Sequence, residues 1–193
     1  MDEVKLVQRL KGGDKAAFEQ LYEKYKDILL RMAYLVSGQL SDAEDIVQET
    51  FVKCYLHVGE LRRNEGFKAW LFQIMYNTAY RQMKKRKREM PDEDIGIHAD
   101  AADERTSLDR IIQTETEKQV SRAVSSLDFK HKVVVVMYYY NEMSTGEIAG
   151  VLGCTEGTVK SRLFYARKQL RQKLCGREKG GVGYEKAREY YFS

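Results

Sequence analysis

The chain has 193 residues, 43% of them hydrophobic and 11% aromatic, which is enough for one packed domain or two small ones and too apolar for general disorder. Lys and Arg number 33 against 29 Asp and Glu, so partners must be read from where the charge lies rather than from its total. Cys54, Cys154 and Cys175 are odd in number and form no C-x-x-C pair, which argues against a disulfide framework and a local zinc site and fits a reducing compartment.

Asp14 follows Gly12-Gly13 as an expected N-cap, and Phe18, Leu21, Tyr25, Leu29 and Met32 then recur at helical spacing. Ser41 and Glu44 have capping-box spacing, and Ala43, Val47, Phe51, Cys54 and Val58 give a second apolar stripe. Between them, Asp42-Ala43-Glu44-Asp45-Ile46-Val47-Gln48-Glu49 holds four carboxylates and no cation. The acids at 42, 45 and 49 lie off the stripe and are expected to face outward, towards a basic partner. A third helix is expected from near Gly66, with Phe67, Trp70, Leu71, Ile74 and Thr78 inward, running on through six cations, Arg81, Lys84, Lys85, Arg86, Lys87 and Arg88.

Pro91, the single proline, opens a stretch to Glu104 with six acids and no Lys or Arg, which reads as a linker. Beyond it, Val120, Ala123, Val124 and Leu127 resume a helical pattern. Val133 to Tyr140 is strand-like by propensity, but a lone strand would leave its backbone groups unpaired, so a buried helix is expected. Ser144 with Glu147 is another capping box, followed by Ile148, Ala149 and Leu152. Gly153-Cys154 then breaks the chain before Thr155 caps a helix whose inward stripe is Val159, Leu163, Ala166, Leu170 and Leu174. The expected architecture is all-α, with two small helical domains at 1–90 and 116–175, a flexible acidic linker at 91–115 and a loose tail at 176–193.

The last helix carries seven cations and no acid from Lys160 to Arg177. Its outward Lys160, Ser161, Phe164, Tyr165 and Lys168 suit a DNA major groove, with Arg162, Arg167 and Arg171 on phosphates. The competing reading is a solvated basic helix, and the short glycine-containing turn after a capped helix favours DNA. On the earlier basic helix, Phe72, Tyr76 and Tyr80 recur every fourth residue. Aromatics beside cations suit an opened nucleic-acid strand, because stacking contributes about 1–3 kcal/mol per base while phosphates bind the cations. Packing against a neighbouring helix is the alternative for that ladder.

His57, His98 and His131 lack metal-ligand spacing, and no P-loop, G-x-S-x-G or H-E-x-x-H pattern appears, so neither catalysis nor a metal or other cofactor is expected. No leader-like start and no apolar run near the ~20 residues of a membrane span is present, so a soluble cytoplasmic protein is expected.

D-A-E-D-I-V-Q-E-T-F at 42–51, W-L-F-Q-I-M-Y-N at 70–77 and S-T-G-E-I-A-G-V-L-G-C-T-E-G-T-V-K-S-R-L-F-Y-A-R at 144–167 resemble bacterial RNA polymerase sigma factors of the extracytoplasmic-function group, which keep sigma domains 2 and 4 joined by a linker. The resemblance covers nearly all of the chain to about Leu174. It implies core-polymerase binding through Asp42, Asp45, Gln48 and Glu49, with the largest-subunit clamp helices and the flap as partner surfaces. It also implies a pocket for a flipped minus-10 base, walled by 61–67 and aided by Asn77. With the aromatic and basic residues above, Arg62, Arg63, Tyr76, Tyr80, Arg81, Lys84, Lys85 and Arg88 complete the expected minus-10 surface. Thr158, Lys160, Ser161, Arg162, Phe164, Tyr165, Arg167 and Lys168 match the minus-35 reading surface. An anti-sigma factor is an expected partner.

Leu61-Arg62-Arg63 stands where many members have Phe-Arg-Gly, Gln73 and Tyr76 where arginine is frequent, Tyr165 in place of a reading-helix arginine, and Asp128 in place of a proline. Promoter sequence is therefore not carried over. The rival readings are a freestanding helix-turn-helix regulator, which would bind operator duplex alone, and a helical adaptor with no salt-sensitive DNA affinity.

Overall fold

The computed structural model describes residues 2–89 and 115–175, and every regular element among them is helical. The expected linker, but for its last residue, and the expected tail lie outside the described residues. The elements are α1 (Glu3–Lys11), α2 (Lys15–Ser37), α3 (Leu40–His57), α4 (Phe67–Glu89), α5 (Glu115–Ser125), α6 (Phe129–Val135), α7 (Thr145–Leu152) and α8 (Glu156–Cys175). The chain divides into two compact units, one holding α1–α4 and the other α5, α6, α8 and most of α7.

In the first unit Asp14 caps α2 as expected, its Oδ1 accepting from the backbone N–H of Ala16 at 2.9 Å and of Ala17 at 3.2 Å. Gly38 ends α2 in the left-handed conformation (φ 81°), which L side chains adopt at a cost. The Ser37 hydroxyl then donates to the Gln39 carbonyl at 3.0 Å and fixes the turn. In consequence α3 starts at Leu40 with Gln39 as its cap, and Ser41 falls inside the first turn, so the expected Ser41/Glu44 capping box does not form.

The core stripe of α4 also differs from expectation. Phe67, Leu71 and Thr78 are buried as expected, but Phe72, Met75 and Ala79 complete the stripe while Trp70 and Ile74 are only half-buried. Phe72 meets Tyr25 of α2 edge-on at 6.4 Å between ring centres, so it belongs to the core and not to a nucleic-acid ladder. Burying such a ring contributes about 1.5–3 kcal/mol, more than a half-exposed position would return. Tyr25 in turn donates its hydroxyl to Glu3 Oε2 at 2.6 Å, and burial together with that bond pushes its acidity well below that of an ordinary phenol.

The second unit settles the ambiguous apolar run. Asp128 caps α6, its Oδ1 accepting from the His131 N–H at 3.1 Å. Val133 to Met137 are buried, and Val136–Tyr140 continues α6 as a π-helical turn. The helix stops at Asn141 and Glu142, the latter at φ 52°. The Ser144/Glu147 capping box forms in both directions: Ser144 N–H donates to Glu147 Oε2 at 2.8 Å and Glu147 N–H to Ser144 Oγ at 3.2 Å. Gly153, at φ 61°, turns the chain, and Thr155 Oγ1 accepts from the Thr158 N–H at 3.2 Å to cap α8. Val159, Leu163, Ala166 and Leu170 of α8 are buried and Leu174 is half-buried, as the spacing predicts.

Candidate functional site

Three surfaces carry the expected site residues. On α3, the four carboxylates divide by side. Positions 42 and 49 are two turns apart and share one face, and that face meets α4. Arg86 Nη1 donates to Asp42 Oδ2 at 2.9 Å; Glu49 pairs with Arg81 and, at 2.9 Å, with Lys53. Asp42 and Glu49 are therefore half-buried and ion-paired, a correction to the expectation that both face outward. Burial alone would raise the Glu49 carboxyl, but the hydrogen bonds and charges of Lys53 and Arg81 hold it below the usual carboxylate range. Glu44, Asp45 and Gln48 are exposed.

Glu44 and Gln48 border a groove of about 910 Å³ between α2 and α3, whose walls include Phe18, Tyr22, Phe51, Val52, Tyr55 and Leu56. Tyr22 and Phe51 lie 4.7 Å apart and Phe18 and Tyr55 5.2 Å apart, ring centre to ring centre. Val52 at 53% and Leu56 at 69% exposure are apolar side chains left in water at its edge. Sequence reading missed this groove, although Val52, Tyr55 and Leu56 stand off the buried stripe of α3 and so signalled a second apolar face.

The second surface is the outer side of α4 with the loop before it. Arg62 and Arg63 are exposed between two short 3-10 turns, Val58–Glu60 and Asn64–Gly66. The loop is anchored to α1: Lys11 Nζ donates to the Leu61 carbonyl at 2.6 Å and Asn64 Nδ2 to Gln8 Oε1 at 2.8 Å. Leu61 and Phe67, at either end of the expected pocket wall, are buried, which leaves 62–66 as the part of it nearer solvent. Asn77 and Tyr80 are exposed on α4, and the half-buried Tyr76 stacks on Tyr80 with ring centres 6.3 Å apart and 20° between planes. Of the cations, Arg81 and Arg86 turn back to α3, whereas Lys84, Lys85, Lys87 and Arg88 are exposed.

The third surface is α8. Lys160, Ser161, Phe164, Tyr165, Arg167 and Lys168 are exposed over the buried stripe, and Thr158 and Arg162 are half-buried. Phe164 and Tyr165, 64% and 52% exposed, form an edge-to-face pair at 5.5 Å. Two large rings held in water on a basic helix suit apolar contact with base edges. Lys160 is not solitary: it pairs at 2.8 Å with Glu156, whose Oε1 also accepts from Thr145 Oγ1 at 2.7 Å across the turn. The Lys160 hydrogen bond, then that of Thr145, holds the Glu156 carboxyl below its usual range. Glu156 is not part of the expected surface, because the basic run that signals it in the sequence begins only at Lys160.

Among the described residues no three His, Cys, Asp or Glu side chains gather to hold a metal ion, and no helix is long and apolar enough to cross a membrane.

Residues 21–89, covering most of α2 and all of α3 and α4, match the family Sigma-70 region 2, and residues 117–170, covering most of α5–α8, match Sigma-70, region 4. The chain belongs to the extracytoplasmic-function group of the sigma-70 family. As a sigma factor it serves promoter-specific initiation of transcription by RNA polymerase. It is 29% identical to the ECF RNA polymerase sigma factor SigW of Bacillus subtilis over 88% of this chain and 95% of that one. It is 31% identical to the ECF RNA polymerase sigma-E factor of Escherichia coli K12, over 88% and 92%. Among solved structures, the sigma factor RpoE of Bartonella quintana, in complex with the anti-sigma factor NepR, matches with a TM-score of 0.67 and 27% identity, over 83% of this sigma factor and 98% of that chain. CnrH, in complex with the cytosolic domain of CnrY, shares the fold with a TM-score of 0.69 at 23% identity, over 91% and 99%.

Proposed function

We propose that this sigma factor is a dissociable, non-catalytic specificity subunit that works in the cytoplasm and divides its work among these three surfaces. The exposed acids and the groove of α2–α3 receive a basic, partly apolar coiled coil of core polymerase. Asp45 and Gln48 lie at the centre of that contact, and Asp42 and Glu49 lie at its border with α4. Tyr76, Tyr80 and Asn77, flanked by Arg62, Arg63, Arg81, Lys84, Lys85 and Arg88, take the opened minus-10 strand by stacking and phosphate contact. The outer face of α8 enters the major groove of the minus-35 element, with Lys160, Ser161, Phe164 and Tyr165 towards base edges and Thr158, Arg162, Arg167 and Lys168 towards the backbone. Catalysis stays with the polymerase. An anti-sigma factor is a further partner, by likeness to RpoE in complex with NepR.

One observation carries this reading: a single chain bears the region 2 match on one compact unit and nearly all of the region 4 match on another. Transcription in vitro with purified core and a random promoter library is the test. The expected result is initiation from a distinct set of paired upstream and minus-10 elements, with strong DNA binding only after core is added. A chain that shifts specific duplex DNA alone and gives core no initiation ability would be a freestanding regulator instead.

A further inference from the structure

The π-helical turn Val136–Tyr140 places Tyr138 and Tyr139 against α8, where both rings address Arg167. The two tyrosines meet edge-to-face at 4.9 Å, and the Arg167 guanidinium carbon stands 5.6 Å from each ring centre. Arg167 Nε donates to the Tyr139 hydroxyl at 2.7 Å. A guanidinium has five N–H donors in a fixed fork, and this bond uses only the one on Nε, leaving the four terminal donors to point elsewhere. The bond sets the direction of the fork, and the rings restrict its plane by cation–π contact. An unconstrained arginine loses much rotamer freedom when it binds, and a held one has already given it up.

We infer that Tyr138 and Tyr139 are positioning residues that hold the Arg167 guanidinium ready for a backbone phosphate of the duplex read by α8. The inference rests on the proposed minus-35 role of α8 and adds to it a second element that touches no base. The π turn has a part in this. Such turns widen a helix locally and recur at functional sites, and here one presents two consecutive tyrosines to a single partner. Val136 and Met137, both fully buried, anchor the turn from within, so the ring pair stands on a rigid base.

The test is a double-mutant cycle on full-length protein assembled with core, measuring affinity for a duplex carrying only the upstream element across a salt series. Arg167→Ala is expected to weaken binding about tenfold, uniformly across upstream sequences, and to make the salt dependence shallower by about one counterion. Tyr139→Phe keeps the ring and removes the hydroxyl; it is expected to weaken binding about threefold and to leave core affinity unchanged. In the Arg167→Ala background the same substitution is expected to have no further effect. Arg167→Lys keeps the charge without the Nε donor, so Tyr139→Phe should again add nothing.

Unchanged affinity on Tyr139→Phe alone, or an equal loss in the Arg167→Ala background, would overturn the positioning role. So would an Arg167→Ala variant that binds as wild type while Lys160→Ala with Arg162→Ala still weakens binding, and that outcome would leave the minus-35 role intact. If neither set of α8 substitutions changes affinity, the minus-35 assignment fails and this inference with it.

Discussion

Reversing charge at two positions of α3 separates docking from folding. Glu49 makes two part-exposed ion pairs, with Lys53 at 2.9 Å and with Arg81. Each such pair is worth about 0.2–1 kcal/mol. Glu49→Lys removes both and sets a third cation beside them, a repulsion of similar size, so the first unit should lose about 1–3 kcal/mol. For a domain of this size about 1 kcal/mol moves the midpoint roughly 4–8 °C, so thermal unfolding followed by circular dichroism should show a fall of about 4–24 °C. Asp45 is exposed and faces none of these cations, so Asp45→Lys should leave the midpoint within ~0.5 kcal/mol of wild type.

Core binding should show the opposite ranking. Asp45→Lys should cost about 10- to 100-fold in affinity, from roughly 1.5–3 kcal/mol for a lost charge-assisted contact. Glu49→Lys should cost less, and part of its loss should track destabilisation. A Glu49→Lys variant with an unchanged midpoint and no core binding would refute the pairing with α4. Wild-type core binding by Asp45→Lys would refute the docking face itself.

Lys160→Ala combined with Arg162→Ala should lower promoter-dependent transcription about tenfold or more while core affinity stays at wild type, as read by run-off assay and pull-down in parallel. Lys132 is buried, and its burial, only partly offset by Asp128, lowers its pKa to about 8. The folded state therefore holds fewer protons than the unfolded one between about pH 8 and the ordinary lysine range, and stability should rise as pH increases through that window. Lys132→Met should remove this dependence and stabilise the second unit at pH 7 by up to ~3 kcal/mol, measured by urea unfolding at several pH values. Glu142 sits at φ 52°, where a non-glycine residue is strained, so Glu142→Gly should raise stability by about 1 kcal/mol in the same assay.

Local signals in the chain were sufficient for the elements they govern. Asp14, the Ser144/Glu147 box and Thr155 act as caps because capping depends on a side chain and a backbone N–H two or three residues away. The α8 stripe followed from spacing alone, since helical period fixes which residues share a face. The family was also legible, because its motifs are contiguous runs in a fixed order.

What the sequence could not assign was the partner of each outward group. Asp42 and Glu49 read as solvent-facing until α4 was packed antiparallel on α3 and brought Arg86 and Arg81 to them. Phe72 looked like part of a stacking ladder until Tyr25 of α2 met it in the core. Tyr139 and Arg167 are 28 residues apart, and only the packing of the π turn against α8 makes them hydrogen-bond partners. Spacing gives the faces of one helix, but which face meets another helix depends on how all the apolar stripes of a unit close around one core, and no single stretch of chain contains that information.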